Sequence, residues 1–304
     1  MVQPRRPGLG YAMVAVAATL FAVNGTVSKV ILGSGISSGQ LTAVRCAGAF
    51  IGLTLIAVAM HSRSLRVRSG DLRLLIALGI GLAVVQWSYF FAIHRLDIGI
   101  ALLIQYVAPI LVALWARFVF HEPVRRRIWA ALALSLAGLT LIVEIWHGGR
   151  LSGPGVAAAV LAAISYATYV LTAERGVRRR DPVSLSAWGF LFATIFSSVL
   201  APWWSFPGRR LDDHVSLLGN LGSTHVPLWV LMLWMVVLGG ILPFGLIVSA
   251  LRHISATRAG ITAMLEPVVA IVVAWAWLGE SLQPVQLSGA ALTLLGIGLA
   301  QTAR

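Results

Sequence analysis

Acidic residues are scarce in this chain: 10 Asp and Glu stand against 23 Lys and Arg, and charged residues of either sign make up only 11% of 304 positions. A soluble domain carries about a quarter of its residues as charges, so a soluble globular fold is excluded. Cysteine is nearly absent, Cys46 being the only one, so no intrachain disulfide can form. No GxxxxGK[ST] sequence is present, which excludes a P-loop ATPase within the chain. The histidines His61, His94, His121, His147, His214, His225 and His253 fall in loops or at the ends of apolar runs. An intramembrane hydrolase needs a nucleophile with a base, or metal ligands, at membrane depth. Neither is visible, and no catalytic residue, metal or cofactor is expected.

What is abundant is apolar length. Hydrophobic residues form 59% of the chain and the mean hydropathy is +0.89. Apolar runs long enough to cross a bilayer occupy 10–32, 39–60, 72–93, 98–120, 128–145, 154–174, 183–203, 228–250, 257–278 and 285–302. The expected fold class is therefore all-α integral membrane with ten transmembrane helices. Arg5 and Arg6 ahead of the first run imitate a secretory signal, but with nine further runs a retained first span is expected.

The net charge of +13 is distributed in clusters between these runs rather than in a nucleic-acid patch, so no nucleic-acid partner is expected; contacts with anionic membrane lipids are. Alternate loops sort the basic residues. One side collects Arg5, Arg6, Arg63, Arg66, Arg68, Arg73, Arg125, Arg126, Arg127, Arg175, Arg178, Arg179, Arg180, Arg252, Arg258 and Arg304; the other has Arg95, Arg150, Arg209 and Arg210. The positive-inside rule then puts both termini in the cytoplasm of a multi-pass protein. The arginine, alanine and glycine bias points to a bacterial inner (cell) membrane.

The run AGITAMLEPVVAIVVAWAWLGESLQ from Ala259 carries Glu266 directly before Pro267, and ALLIQYVAPILVALWARFVFHEPV from Ala101 matches it with Ala108 and Pro109. Pro109 and Pro267, Glu122 and Glu280, and Gly138 and Gly296 pair at one offset, since 267 less 109, 280 less 122 and 296 less 138 all give 158. An internal repeat follows, with copies at 1–148 and 149–304. Each copy holds five spans, an odd number, so the second must enter the membrane inverted. Matched loops exchange charge accordingly: Arg125, Arg126 and Arg127 follow span 4, whereas GESLQPVQ after span 9 has no basic residue. Inverted repeats are a recurring plan of secondary transporters, with sites near the midplane between the copies.

The mid-span prolines, each followed by a glutamate (Glu122, Glu280) and then a glycine-bearing span (Leu136-Ala137-Gly138; Leu295-Gly296-Ile297-Gly298), resemble the EamA-type drug/metabolite transporters. The stretch LEPVVAIVVAWAWLGESLQPVQLSGAALTLLGIGL carries most of the likeness. The resemblance implies ten helices with inverted pseudo-symmetry around a central substrate cavity, most often exporting amino acids or other small metabolites. The first copy departs from the pattern with His121-Glu122 and with Ala108 where the second has Glu266, so equivalent sites in the two halves are not expected.

Glu266 is the leading site residue, because an acid at this depth costs roughly 2.5–3.5 kcal/mol on insertion scales and so faces protein or water. Such a group can bind substrate and couple transport to protons; the alternative is a structural acid held by a hydroxyl or by Arg45 or Arg117. Pro109, Pro243 and Pro267 remove helix hydrogen bonds and are candidate gating kinks. Asn24, Gln86, Trp87, Gln105, Tyr106, Tyr166 and Tyr169 are polar or amphipathic groups at span depth and form the candidate substrate-binding set, together with Ser165 and Thr172; taken singly, each also suits an interhelical hydrogen bond. Arg45 and Lys29 are expected to snorkel to the interface, and Trp203, Trp204, Trp229, Trp275 and Trp277 to form an aromatic belt. Gly48 and Gly52 are expected to pack within the monomer, and 204–227 to be a solvated outer loop. The expected activity is secondary-active transport of a small-molecule substrate by alternating access, as an exporter of amino acids or related amphipathic compounds with protons as the candidate coupling ion; an uptake permease or facilitator of the same fold is the alternative.

Overall fold

The computed structural model describes residues 6–61, 65–67, 69–93, 95–96, 98–121, 124–144, 146, 152–202 and 205–302. Glu122, the 148/149 repeat boundary, Trp203 and Trp204 lie outside them. Among the described residues, ten helices are long and apolar enough to cross a membrane: spans 1 to 10 are Pro7–Gly33, Ser38–Met60, Leu72–Ile93, Gly99–Phe118, Arg126–Val143, Gly153–Gly176, Pro182–Val199, Leu228–Ala250, Ala256–Leu278 and Pro284–Thr302. Several begin on proline, whose missing N–H costs nothing in the first helical turn. At span 7 the Asp181 carboxylate accepts from the Val183 and Ser184 amides at 3.0 and 3.2 Å, satisfying two orphan donors of the helix start.

The main packing pairs recur when each span is exchanged with the one five places on. Span 3 packs on span 6 as span 8 packs on span 1; span 3 on span 7 as span 8 on span 2; span 4 on span 6 as span 9 on span 1. Spans 2 with 7, 4 with 9 and 5 with 10 are their own counterparts. This is a two-fold relation between two five-span copies, and five being odd, the second copy is inverted.

The seam between spans 5 and 10 shows the relation at single residues. A Cβ on Gly138 would stand 2.5 Å from the Gly289 carbonyl oxygen and 2.6 Å from the Thr293 amide, while one on Gly296 would stand 2.8 Å from the Ala131 carbonyl oxygen and 2.9 Å from the Ser135 amide. Gly138 on Thr293 and Gly296 on Ser135 are one contact seen twice. Small residues let two backbones approach where lipid offers no hydrophobic drive to associate. Gly48 and Gly52 serve span 2 in the same way within the monomer, facing Val236 and Ile241 of span 8.

Spans 3 and 6 each carry an outward stripe along their length, Ala77, Ile80 and Trp87 on one and Val160, Ile164 and Thr168 on the other. Buried residues on their remaining faces, among them Leu78, Leu82, Ala163, Tyr169 and Phe190 of the neighbouring span 7, form the largest core cluster. The segment after span 7 is more ordered than expected of a solvated loop. His214–Ser216 and His225–Pro227 pair as a short antiparallel hairpin, and the Trp277 indole donates to the Leu217 carbonyl at 2.8 Å. Trp277 is therefore an anchor for this cap, whereas Trp229 and Trp275 are exposed as belt residues are. At the arginine-rich end, Arg180 donates to Asp71 at 3.0 Å, to the Arg66 carbonyl at 3.0 Å and to Ser184 at 3.2 Å, and Arg252 donates to the Arg180 carbonyl at 3.1 Å.

Candidate functional site

Spans 4 and 9 are each broken in the middle. Span 4 runs as Ile98–Gln105, turns through Tyr106 and Val107, and resumes as Ala108–Phe118; span 9 runs as Ala256–Ala263, breaks at Met264 and resumes as Leu265–Val273. Both resume just before a proline. Pro267 has no N–H to return to the carbonyl four residues back, so Ala263 is left with a free acceptor, and Pro109 does the same to Gln105. In a membrane such groups need partners from neighbouring helices.

Ala263 finds its partner in the other repeat. The Tyr106 hydroxyl, in the turn of span 4, lies 3.2 Å from the Ala263 carbonyl oxygen and 2.7 Å from Oε2 of Glu266. Tyr106 is buried, packed with Leu139 and Met264. A phenol has one proton and two acceptor lone pairs, so this contact has two arrangements. With Glu266 ionised, Tyr106 donates to the carboxylate along the shorter contact. With Glu266 protonated, the carboxylic acid can donate to the Tyr106 oxygen, which frees the phenolic proton for the Ala263 carbonyl. The two breaks are thus joined by a hydrogen bond whose direction follows the charge on Glu266.

Tyr89 and Tyr166 both lie within electrostatic range of Glu266, and Tyr89 also of Arg45. Gly260 lets the first half of span 9 approach Pro109, whose Cβ and Cγ would each lie 3.2 Å from an added Cβ. Gln105, at the lip of the span 4 break, has a buried Oε1 with no hydrogen-bond partner among the described residues.

Other expected site residues are placed differently. Asn24 is buried against Gly239 of span 8, and its Oδ1 has no partner among the described residues. Gln86 donates to the Cys46 sulfur at 3.9 Å, between spans 3 and 2. Tyr169 is a core residue, edge-to-face on Phe244 at 6.2 Å. Trp87 does not join the site: it is 42% exposed on the outward stripe of span 3 and stacks near Phe91 at 5.4 Å. Successive helical residues are about 100° apart, so Gln86 turns inward and Trp87 outward. Ser165 is buried, while Thr172 spends its proton on the Thr168 carbonyl at 2.7 Å.

Pro243 lies just past a π-turn at Val237–Ile241. The widened turn accommodates the proline ring, which would otherwise press on the carbonyl four residues back. Asn24 and Arg45 flank this turn at Gly239 and Gly240. Arg45 corrects a second expectation. Instead of reaching the interface it is buried at 6% exposure, with its guanidinium 5.6 Å from the Phe90 ring centre and 4.0 Å from the Met235 sulfur, and its Nε without a partner among the described residues. Among the described residues it pairs with no carboxylate. Lys29 does lie at the surface, its ammonium 3.8 Å from Glu280. Arg117 is exposed, so Glu266 is held by a hydroxyl rather than by either arginine. Tyr89, the Ala263 carbonyl and the π-turn escaped the sequence reading; the carbonyl could have been found by counting four residues back from Pro267.

The sequence pattern of the EamA-like transporter family matches twice, over residues 8–144 and 153–302. The chain belongs to the EamA-like transporter family. The EamA chain is similar to an uncharacterized transporter of Archaeoglobus fulgidus, 27% identical over 73% of this chain and 75% of that one. It is also similar to the threonine/homoserine exporter RhtA of Escherichia coli K12, at 25% identity over 69% of this chain, the match spanning 64% of the exporter's length. A protein of known crystal structure superposes with a TM-score of 0.77 over 96% of each chain at 17% identity, a likeness of fold. The EamA chain is a multi-pass membrane transporter with ten spans in two repeats.

Proposed function

We propose that this transporter is a secondary-active exporter of amino acids or related small amphipathic metabolites, working by alternating access with Glu266 as the proton-coupling group. The observation that carries the reading is the Tyr106 hydroxyl shared between Glu266 and the Ala263 carbonyl. It ties the break of one repeat to the break of the other, so a change of charge on one side chain alters the contact about which the two copies rock. Pro109, Pro243 and Pro267 are the hinge positions.

The site also has two ends of opposite sign. Glu266 with Tyr106 suits an ammonium group, and the guanidinium of Arg45, which pairs with no carboxylate among the described residues, suits a carboxylate, with Tyr89 in electrostatic range of both. Tyr166 and Gln105 complete a lining for the substrate body, and Asn24 and Gln86 support it from spans 1 and 3. The 25% identity to an exporter of threonine and homoserine is in keeping with this substrate class. The membrane is the cell inner membrane, with the arginine-rich end and both termini in the cytoplasm, and the repeats divide at 148/149.

The test is flux of labelled threonine and homoserine in proteoliposomes under an imposed pH gradient, comparing wild type with Glu266→Gln. Gradient-driven flux in the wild type, with a variant that exchanges substrate but ignores the gradient, is the expected result. Equal, gradient-independent flux in both proteins would make the chain a facilitator and Glu266 structural.

A further inference from the structure

Spans 3, 4 and 6 enclose an open groove of about 650 Å³ at the arginine-rich end of the bundle, away from the Tyr106–Glu266 contact. We propose that this groove is a binding site for one anionic phospholipid, with an acyl chain along its wall and the phosphate on Arg73 and Arg175.

The wall is apolar, its threonine hydroxyls being turned to their own helix. Leu111, Leu114, Trp115 and Phe118 of span 4 form one side. Two threonines lie on the other, but Thr168 donates to the Ile164 carbonyl at 2.9 Å and Thr172 to the Thr168 carbonyl at 2.7 Å, so their protons are satisfied inside the helix. Trp115, Phe118 and Ile164 are about half exposed or more, and Ala77, Ile164 and Thr168 of the lining belong to the outward stripes of spans 3 and 6. Those stripes run the length of the helices, as surfaces in contact with acyl chains do. The groove is a recess in that surface rather than part of the interior.

Its mouth carries two positive charges. Arg73 and Arg175 both line it, and neither pairs with a carboxylate among the described residues. Arg175 is held in place by Phe120, its guanidinium 4.2 Å from the ring centre. A guanidinium binds a phosphate by two parallel hydrogen bonds, and two of them at the end of an apolar slot complement a headgroup of net negative charge. A choline headgroup would return a positive charge to the same place. Leu111 sits two positions beyond Pro109, so an occupant would pack on the second half of the broken span 4.

The test is lipid retention, which reads binding whether or not the transport reading holds. Purified full-length protein is titrated in detergent with matched phosphatidylglycerol and phosphatidylcholine and examined by native mass spectrometry. Two arginines near a headgroup predict retention of phosphatidylglycerol about tenfold or more above phosphatidylcholine, lost in Arg73→Gln/Arg175→Gln and kept in Arg209→Gln/Arg210→Gln at the opposite end. Equal retention of the two lipids, or preference surviving in the first double variant, overturns the proposal. Should that variant fail to purify, dibrominated lipids decide the matter: brominated phosphatidylglycerol quenches wild-type fluorescence more than brominated phosphatidylcholine, and the difference disappears in Trp115→Phe. A difference that persists there places the lipid elsewhere and also overturns it.

Discussion

Tyr106→Phe isolates the contact between the repeats. The change removes one oxygen from a buried ring, leaves its volume nearly unchanged, and deletes contacts of 2.7 Å to Glu266 and 3.2 Å to the Ala263 carbonyl. Two estimates of the cost compete. Interhelical hydrogen bonds in membranes average about 0.6 kcal/mol, because the unfolded state finds other partners. A buried acceptor left without any donor costs about 1–3 kcal/mol. With Glu266 protonated the second applies, since the phenolic proton then goes to the Ala263 carbonyl and Pro267 cannot supply the amide that would otherwise reach it. Tyr106→Phe is therefore expected to destabilise by about 1–3 kcal/mol, read as a lowered midpoint when purified protein is heated and the soluble monodisperse fraction followed. The cause is checked by Pro267→Ala, which restores an N–H four residues after Ala263. In that background the same Tyr106→Phe change should cost less than about 1 kcal/mol, the worth of the Glu266 contact alone. An equal loss in both backgrounds refutes the account of the orphaned carbonyl, and no loss in either refutes the importance of the contact.

Glu266→Gln keeps an acceptor for Tyr106 but cannot change charge, so the protein should stay folded while flux in proteoliposomes becomes independent of the pH gradient. Gly138→Ala and Gly296→Ala each press a methyl group onto the facing backbone and should each destabilise by about 1–3 kcal/mol, whereas Gly298→Ala, which meets nothing within 4 Å, should be neutral or stabilising by up to about 1 kcal/mol; thermal melts of the three variants compare them directly. Arg180→Gln strips Asp71 and the Arg66 carbonyl of their donor at a largely buried site and should cost about 3 kcal/mol. Lys29→Gln, at a pair whose side chains are 52% and 58% exposed, should shift the same melt by less than about 1 kcal/mol.

Sequence alone determined the ten spans, because the bilayer requires an uninterrupted apolar length and permits little else. The repeat was legible through Pro109 and Pro267, and inversion through an odd span count with exchanged loop charge. Glu266 stood out because an acid is rare at such depth. Tertiary structure decided what these residues meet. Hydropathy is nearly uniform around an all-apolar helix, so it carries no phase, and only packing could send Gln86 inward and Trp87 outward. Arg45 lies close enough to a helix end to snorkel, and whether it does so depends on which neighbours surround it; span 8 and Phe90 enclose it instead. The meeting of Tyr106 with Glu266 joins residues 160 positions apart. A proline announces that a carbonyl has been freed, but the donor that answers it belongs to whichever helix the fold brings alongside.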